Sequence, residues 1–282
     1  MAHIAESVVL LGPRRSLVGI HTHPAGDSSG REDICVVIIN AGIIHRVGPN
    51  RLHVELARAL SAAGLSAVRL DLSGIGDSDS RADSLNPLDG ALADIREALD
   101  TLVESGKVKR FILLGLCSGA NHAAIRAADD ERIIAIGLVD PFIPRTRRYY
   151  LNHYFRRMTR VGSWKNFFRG DHPAWQWLEA QLLRRRTDRT LEQGGPDPAE
   201  VRRYLARIYD DVVRRGVRIF AAFTGDLESQ HNYREQLLDA FPDVAFGTLL
   251  DLYYFGDVDH TFSSSNDRTA LISLILKWAS KL

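Results

Sequence analysis

The chain has only two cysteines among its 282 residues, Cys35 and Cys117, far apart in sequence. That scarcity argues against a disulfide framework and against a zinc site built on paired cysteines, so no metal is expected. A reduced, cytoplasmic setting is the simplest expectation. No stretch approaches the roughly 20 apolar residues that a bilayer-spanning helix needs, so no membrane span is expected. The opening M-A-H-I-A-E-S-V-V-L-L-G-P lacks a basic n-region, and its apolar run is too short for a secretory signal. Repeats and low-complexity tracts are missing too. The formal net charge is only +1, and no nucleic-acid-binding motif is present, which disfavours a nucleic-acid partner.

What is present is an ordinary globular composition, 45% hydrophobic and 25% charged, with an uneven distribution of charge. Residues 145–218 hold 17 arginines and one lysine against eight acidic residues, and the remainder is net acidic. A basic block in an acidic body fits either a subdomain with an anionic partner or a solvated helical surface. Short apolar runs alternate with amphipathic stretches, the pattern of a mostly parallel sheet flanked by helices. Strands are predicted at 7–11, 17–21, 34–39, 66–71, 110–114, 133–139, 217–223 and 249–255. Helices are predicted at 50–63, 88–104, directly after Cys117, and near 198–215, 232–241 and 266–281. The alternation lapses over 144–200, which reads as a helical Arg-rich insertion. The core would then be 1–143 with 201–282.

The stretch F-I-L-L-G-L-C-S-G-A at 111–120 runs from a strand straight into a helix. Residues two before and two after such a bend must be very small, because the chain passes close to its neighbours there. Gly115 and Gly119 meet that demand around Cys117. Centring the bend on Ser118 would put Leu116 at a tight position, which fits poorly. Cys117 is therefore either a small buried residue at a turn or a nucleophile raised at its tip.

In this stretch the sequence resembles the α/β-hydrolase superfamily, whose nucleophile elbow is G-x-S-x-G and here reads G-L-C-S-G. Two further segments carry the resemblance: D-L-S-G-I-G-D-S-D at 71–79, and N-A-G-I-I at 40–44 in the place of the H-G-x oxyanion turn. The resemblance covers nearly the whole chain. It implies an α/β-hydrolase fold with an eight-stranded sheet, and makes 144–200 a lid. It also implies an acid after the seventh strand, Asp226, and a histidine after the last, His260, in the family's chain order. Asp140, Glu228 and Asp257 compete with Asp226 for the acid role. Backbone N–H groups of Ser118 and Ile43 would hold an oxyanion. His45 and Arg46 follow that turn, as substrate-orienting residues or as a surface pair. His21 and His23 read as structural, and Cys35 as a core residue.

A cysteine nucleophile narrows the chemistry. His260 would take the thiol proton and Asp226 would fix the imidazole tautomer. The acyl-enzyme would be a thioester, which forms readily from another thioester or an activated ester but uphill from an ordinary ester. Dienelactone-hydrolase-like members of the superfamily also carry a cysteine elbow, a resemblance confined to the elbow. Arginines such as Arg184, Arg185 and Arg186 suit the phosphates of coenzyme A or of a carrier-protein arm. Tyr149, Tyr150, Tyr154, Trp164, Trp175 and Trp177 would line an acyl pocket or build the insertion's own core. The expected function is acyl transfer from a small-molecule acyl substrate to water, or else to an amine or alcohol, with no cofactor. The departures from the family, Cys for Ser and Asn40-Ala41 for His-Gly, keep a second class open: a catalytically silent binding module.

Overall fold

The run I-C-V-V-I-I is apolar at every position, and in the computed structural model all six residues of β3 (Ile34–Ile39) are buried. The structure describes residues 4–28, 30–159 and 197–282. β3 lies between two parallel neighbours, β4 (Ser66–Leu70) and β5 (Arg110–Leu116). Its side chains alternate between faces, as a pleated strand dictates. Cys35, Val37 and Ile39 enter one core layer, and Ile34, Val36 and Ile38 the other. Burying each such Val or Ile contributes about 1.5–3 kcal/mol relative to exposure.

β1 (Glu6–Leu11), β2 (Leu17–Thr22), β6 (Ile133–Val139), β7 (Arg218–Thr224) and β8 (Leu250–Phe255) complete an eight-stranded sheet of order β1-β2-β4-β3-β5-β6-β7-β8. β2 runs antiparallel to both its neighbours, and the six strands from β4 to β8 in that order are parallel. One face is covered by α1 (Leu52–Ala62) and a C-terminal helix, Ser265–Ala279. Leu52, Leu56 and Leu60 share a cluster there with Leu271, Ile275 and Trp278. The other face carries α2 (Pro87–Glu104), α3 (Ser118–Asp129) and the helix Pro198–Arg214. α2 begins where Asn86 caps it, its side chain accepting the Asp89 N–H at 3.0 Å, with Pro87 in the first turn. No described helix is long and apolar enough to cross a membrane.

The eight expected strands all form, and most expected helices keep their bounds within two residues. The exception is 232–241, where only Gln236–Ala240 is helical. Side-chain bonds hold the preceding backbone in a loop instead: Gln236 Oε1 accepts the Asn232 N–H at 3.1 Å, and Asn232 Nδ2 donates to the Tyr149 carbonyl at 3.0 Å. Of the expected insertion 144–200, the described part includes α4 (Arg147–Thr159) and the start of α5 (Pro198–Arg214), which Asp197 caps. The two remaining helices are α6 (Gln236–Ala240) and α7 (Ser265–Ala279).

Candidate active site

The bend between β5 and α3 is as tight as the glycines imply. Cys117 has φ 57° and ψ −119°, a conformation that L-residues rarely adopt and that needs the surrounding structure to hold it. A Cβ on Gly115 would lie 2.2 Å from the carbonyl carbon of Gly119, and one on Gly119 would lie 2.3 Å from the Asn40 carbonyl oxygen. Neither position admits even alanine without moving backbone. The Cys117 N–H donates to the Val139 carbonyl at 2.8 Å, which fixes the bend against β6.

The half-buried thiol that results faces His260, in the loop after β8. The neighbouring His260 lowers the Cys117 pKa, an effect that burial and the nearby Asp140 charge oppose and the Ser118 N–H reinforces. His260 in turn is raised to about 10, chiefly by its bond to Asp140 and next by Cys117. Both shifts favour a thiolate beside an imidazolium over the neutral pair. The two cysteines behave oppositely, since complete burial pushes Cys35 up to about 12.

The carboxylate behind His260 is Asp140, at the end of β6, and not Asp226. His260 Nδ1 lies 2.7 Å from Asp140 Oδ2. Thr224, the last residue of β7, donates its N–H to Oδ1 and its hydroxyl to Oδ2, each at 2.7 Å. Asp140 is fully buried, which alone would raise its pKa, but His231, His260 and Thr224 outweigh burial and hold it at about 2. Asp226, the expected acid, is exposed, and among the described residues its Oδ2 meets only the backbone N–H of His260, at 3.4 Å. The difference goes with position and surroundings: Asp140 leaves β6, which pairs directly with β5, and is buried against Thr224, whereas Asp226 follows β7, one strand further out, and is exposed. Of the competing acids, Asp257 is exposed, and the backbone carbonyl of Glu228 receives the Tyr149 hydroxyl at 3.0 Å. Asp259 is spent on its own turn, accepting from Thr261 and Ser263, which holds its carboxyl well below the usual range.

The turn after β3 is pinned from three sides. Asn40 Oδ1 accepts the Leu72 N–H at 2.7 Å, its Nδ2 donates to the Ile44 carbonyl at 2.9 Å, and the Gly42 N–H donates to Ser118 Oγ at 2.8 Å. The Ile43 side chain is 92% exposed, so only its backbone can serve the site. The Arg46 guanidinium bridges buried Asp71 and exposed Asp77, and its own N–H also reaches Asp71. Asp71 further accepts from Asn40 Nδ2 at 3.2 Å and from the Asp77 N–H at 3.2 Å. A Cβ on Gly76 would meet that carboxylate at 2.1 Å. The D-L-S-G-I-G-D-S-D loop thus buttresses the turn. His45 is exposed, and its carbonyl accepts the Gly48 N–H at 2.9 Å.

Arg184, Arg185, Arg186, Trp164, Trp175 and Trp177 lie outside the described residues. Tyr149 is buried, its hydroxyl donating to the carbonyls of Glu228 and Ser229, so it anchors α4 to the loop after β7. Tyr150 and Tyr154 are exposed. Sequence reasoning passed over one residue entirely. His231 is fully buried, with Nε2 3.2 Å from Asp140 Oδ1. Its only signal was a histidine inside a loop that starts at the end of a core strand.

Thiol, imidazole and carboxylate thus stand at the carboxyl ends of β5, β8 and β6, where open α/β sheets place their chemistry. The sequence matches the alpha/beta hydrolase family over residues 43–270, and the chain belongs to that family. No curated protein matches it significantly. Among solved structures, an alpha-beta serine hydrolase homologue from Coxiella burnetii is similar over 98% of this chain and 97% of its own, with TM-score 0.59 and 15% identity. An esterase of Pyrococcus furiosus is similar over 99% and 91%, with TM-score 0.59 and 12% identity. The mouse alpha/beta hydrolase domain-containing protein 10 is similar over 98% and 99%, with TM-score 0.56 and 16% identity. At these identities the likeness is one of fold.

Proposed function

We propose that the protein hydrolyses a thioester or activated ester through an acyl-enzyme on Cys117. The observation that carries this reading is the contact of the Cys117 thiol with His260, whose Nδ1 is 2.7 Å from buried Asp140. The thiolate attacks the acyl carbonyl and forms the C–S bond. The oxyanion is held by the N–H groups of Ser118 and Ile43. Collapse breaks the bond to the leaving group, which takes the proton from the His260 imidazolium. Neutral His260 then accepts a proton from water as the water oxygen attacks the thioester, and expulsion of the thiolate restores the starting pair. Asp140 stays ionised throughout, stabilising the imidazolium and presenting the correct tautomer.

Family membership and an esterase among the structural neighbours favour water as the acceptor. The sulfur favours an activated donor, since a thioester forms from another thioester with little change in free energy. Incubation with a panel of acyl thioesters and activated esters, followed by peptide mass spectrometry, tests the reading. An acyl adduct on Cys117, absent in Cys117→Ala and absent from Cys35, is expected. Turnover that survives Cys117→Ala would overturn it.

A further inference from the structure

We infer that His231 is a positioning residue, the second imidazole on the Asp140 carboxylate, which keeps that carboxylate ionised and aimed at His260; this rests on the Cys117 reading above. His231 is completely buried, and its Nε2 stands 3.2 Å from Asp140 Oδ1, within ion-pair range though off the line of an ideal N–H···O bond. Neither Nδ1 nor Nε2 has a hydrogen-bond partner of good geometry among the described residues. A buried imidazole so poorly satisfied is costly, and a leucine or phenylalanine would fill the same space without that cost. What an apolar side chain cannot do is donate to a buried carboxylate.

The surroundings hold the ring where it can donate. Gln236, itself buried, clamps the backbone on both sides of His231: Nε2 donates to the Gln230 carbonyl at 2.9 Å and Oε1 accepts the Asn232 N–H at 3.1 Å. The His231 N–H donates to the Leu227 carbonyl at 3.0 Å, and the Phe223 ring packs edge-on against the imidazole at 4.9 Å. An ionised carboxylate only accepts, so donation to Asp140 requires the tautomer with its proton on Nε2. Asp140 then receives Thr224 and His231 on Oδ1, and Thr224 and His260 on Oδ2. Among the described residues the charged group in contact with the ring is Asp140 from β6, with His260 on its other oxygen; Asp226, from the ring's own loop, turns to the His260 backbone instead.

Removing this donor weakens the ionised carboxylate, hence the imidazolium, hence the thiolate. The test is the pH profile of Cys117 alkylation by iodoacetamide, read by mass spectrometry in the wild type, His231→Leu and His231→Gln. In His231→Leu the midpoint is expected to move up toward the ordinary thiol value near ~8.5. Neutral-pH alkylation should slow roughly tenfold, the scale of one hydrogen bond to a charged group. His231→Gln, whose amide nitrogen can stand in for Nε2, is expected to recover most of the rate. A folded His231→Leu with an unmoved midpoint overturns the proposal, and so does an equal shift in both variants. Nitrogen-15 histidine spectra of the unaltered protein decide it without any substitution: the proton on Nε2 of His231 supports the inference, and a proton on Nδ1 with Nε2 bare sinks it. Alkylation needs only the thiolate, so failure of every acyl donor would count against the hydrolase reading and leave this test standing.

Discussion

The ends of β6 and β7 lie side by side in the sheet, and each offers an aspartate within reach of His260. Asp140 is buried, takes four polar contacts and meets the imidazole ring. Asp226 is exposed and, among the described residues, meets only a backbone N–H. The difference lies in their surroundings and not in the chemistry of the side chain. β7 still contributes, but through Thr224 and the loop that delivers His231, both of which serve the acid on its neighbour. One strand end supplies the charge and the next supplies the donors that make burying it tolerable.

Asp140→Asn should therefore produce the largest effect. An amide in that place presents either an N–H that repels the Nδ1 proton or a neutral oxygen that no longer stabilises the imidazolium. In serine-type triads the corresponding change costs on the order of 10⁴ in kcat. A thiolate needs less help from its base, so a loss of roughly 10²–10⁴ is expected here, with the Cys117 alkylation midpoint moved upward. Wild-type kcat in Asp140→Asn, with Asp226→Asn crippled, would reverse the roles drawn here.

Much of this was legible in the sequence. The bend was, because a cysteine with glycines two places to either side, between an apolar run and a helix, suits little besides a tight strand-to-helix turn. The folded chain bears this out with the 2.2 and 2.3 Å approaches that exclude a Cβ. The place of His260 was, because it follows the last strand directly. Which carboxylate meets its ring was not, because Cys117-Asp140-His260 and Cys117-Asp226-His260 share one chain order, and order alone cannot say which aspartate is buried against it. Arg46 looked free to meet substrate since its partners, Asp71 and Asp77, are more than twenty residues away in sequence. His231 was invisible for the same reason: its role depends on a carboxylate brought to it by the sheet.

Acid pH separates the two aspartates more gently. Asp140 has a folded pKa of about 2 against an ordinary 3.8. A depressed pKa contributes stability above the unfolded value that is lost as pH falls from about 4 to about 2, on the order of 2 kcal/mol. On the alkaline side two effects oppose each other. The raised His260 contributes stability that is complete below pH 6.5 and lost as pH rises to about 10, while the lowered Cys117 gains over part of the same range. The acid limb is thus the informative one. Thermal unfolding followed from pH 5 to pH 2 should show a steep loss in the wild type and in Asp226→Asn, and a shallower one in Asp140→Asn. A limb that flattens only in Asp226→Asn would contradict the assignment.

The smallest effects come from what β7 itself lends. Thr224→Val keeps the shape and the backbone N–H to Asp140 Oδ1 but removes the hydroxyl that donates to Oδ2 at 2.7 Å. His260 then becomes the sole donor to that oxygen. One hydrogen bond to a buried charge is worth about 1.5–3 kcal/mol, and the remaining three contacts absorb part of the loss. A stability change of about 1–2 kcal/mol with kcat lowered a few-fold is expected by denaturant titration and steady-state assay. Asp226→Ala loses one 3.4 Å contact at an exposed site, so it should stay within about 0.5 kcal/mol and about twofold in kcat. The ranking matters more than either value. If Asp226→Ala cost more activity than Thr224→Val, β7 would be acting through its acid after all, and the buried cluster around Asp140 would be scaffolding alone.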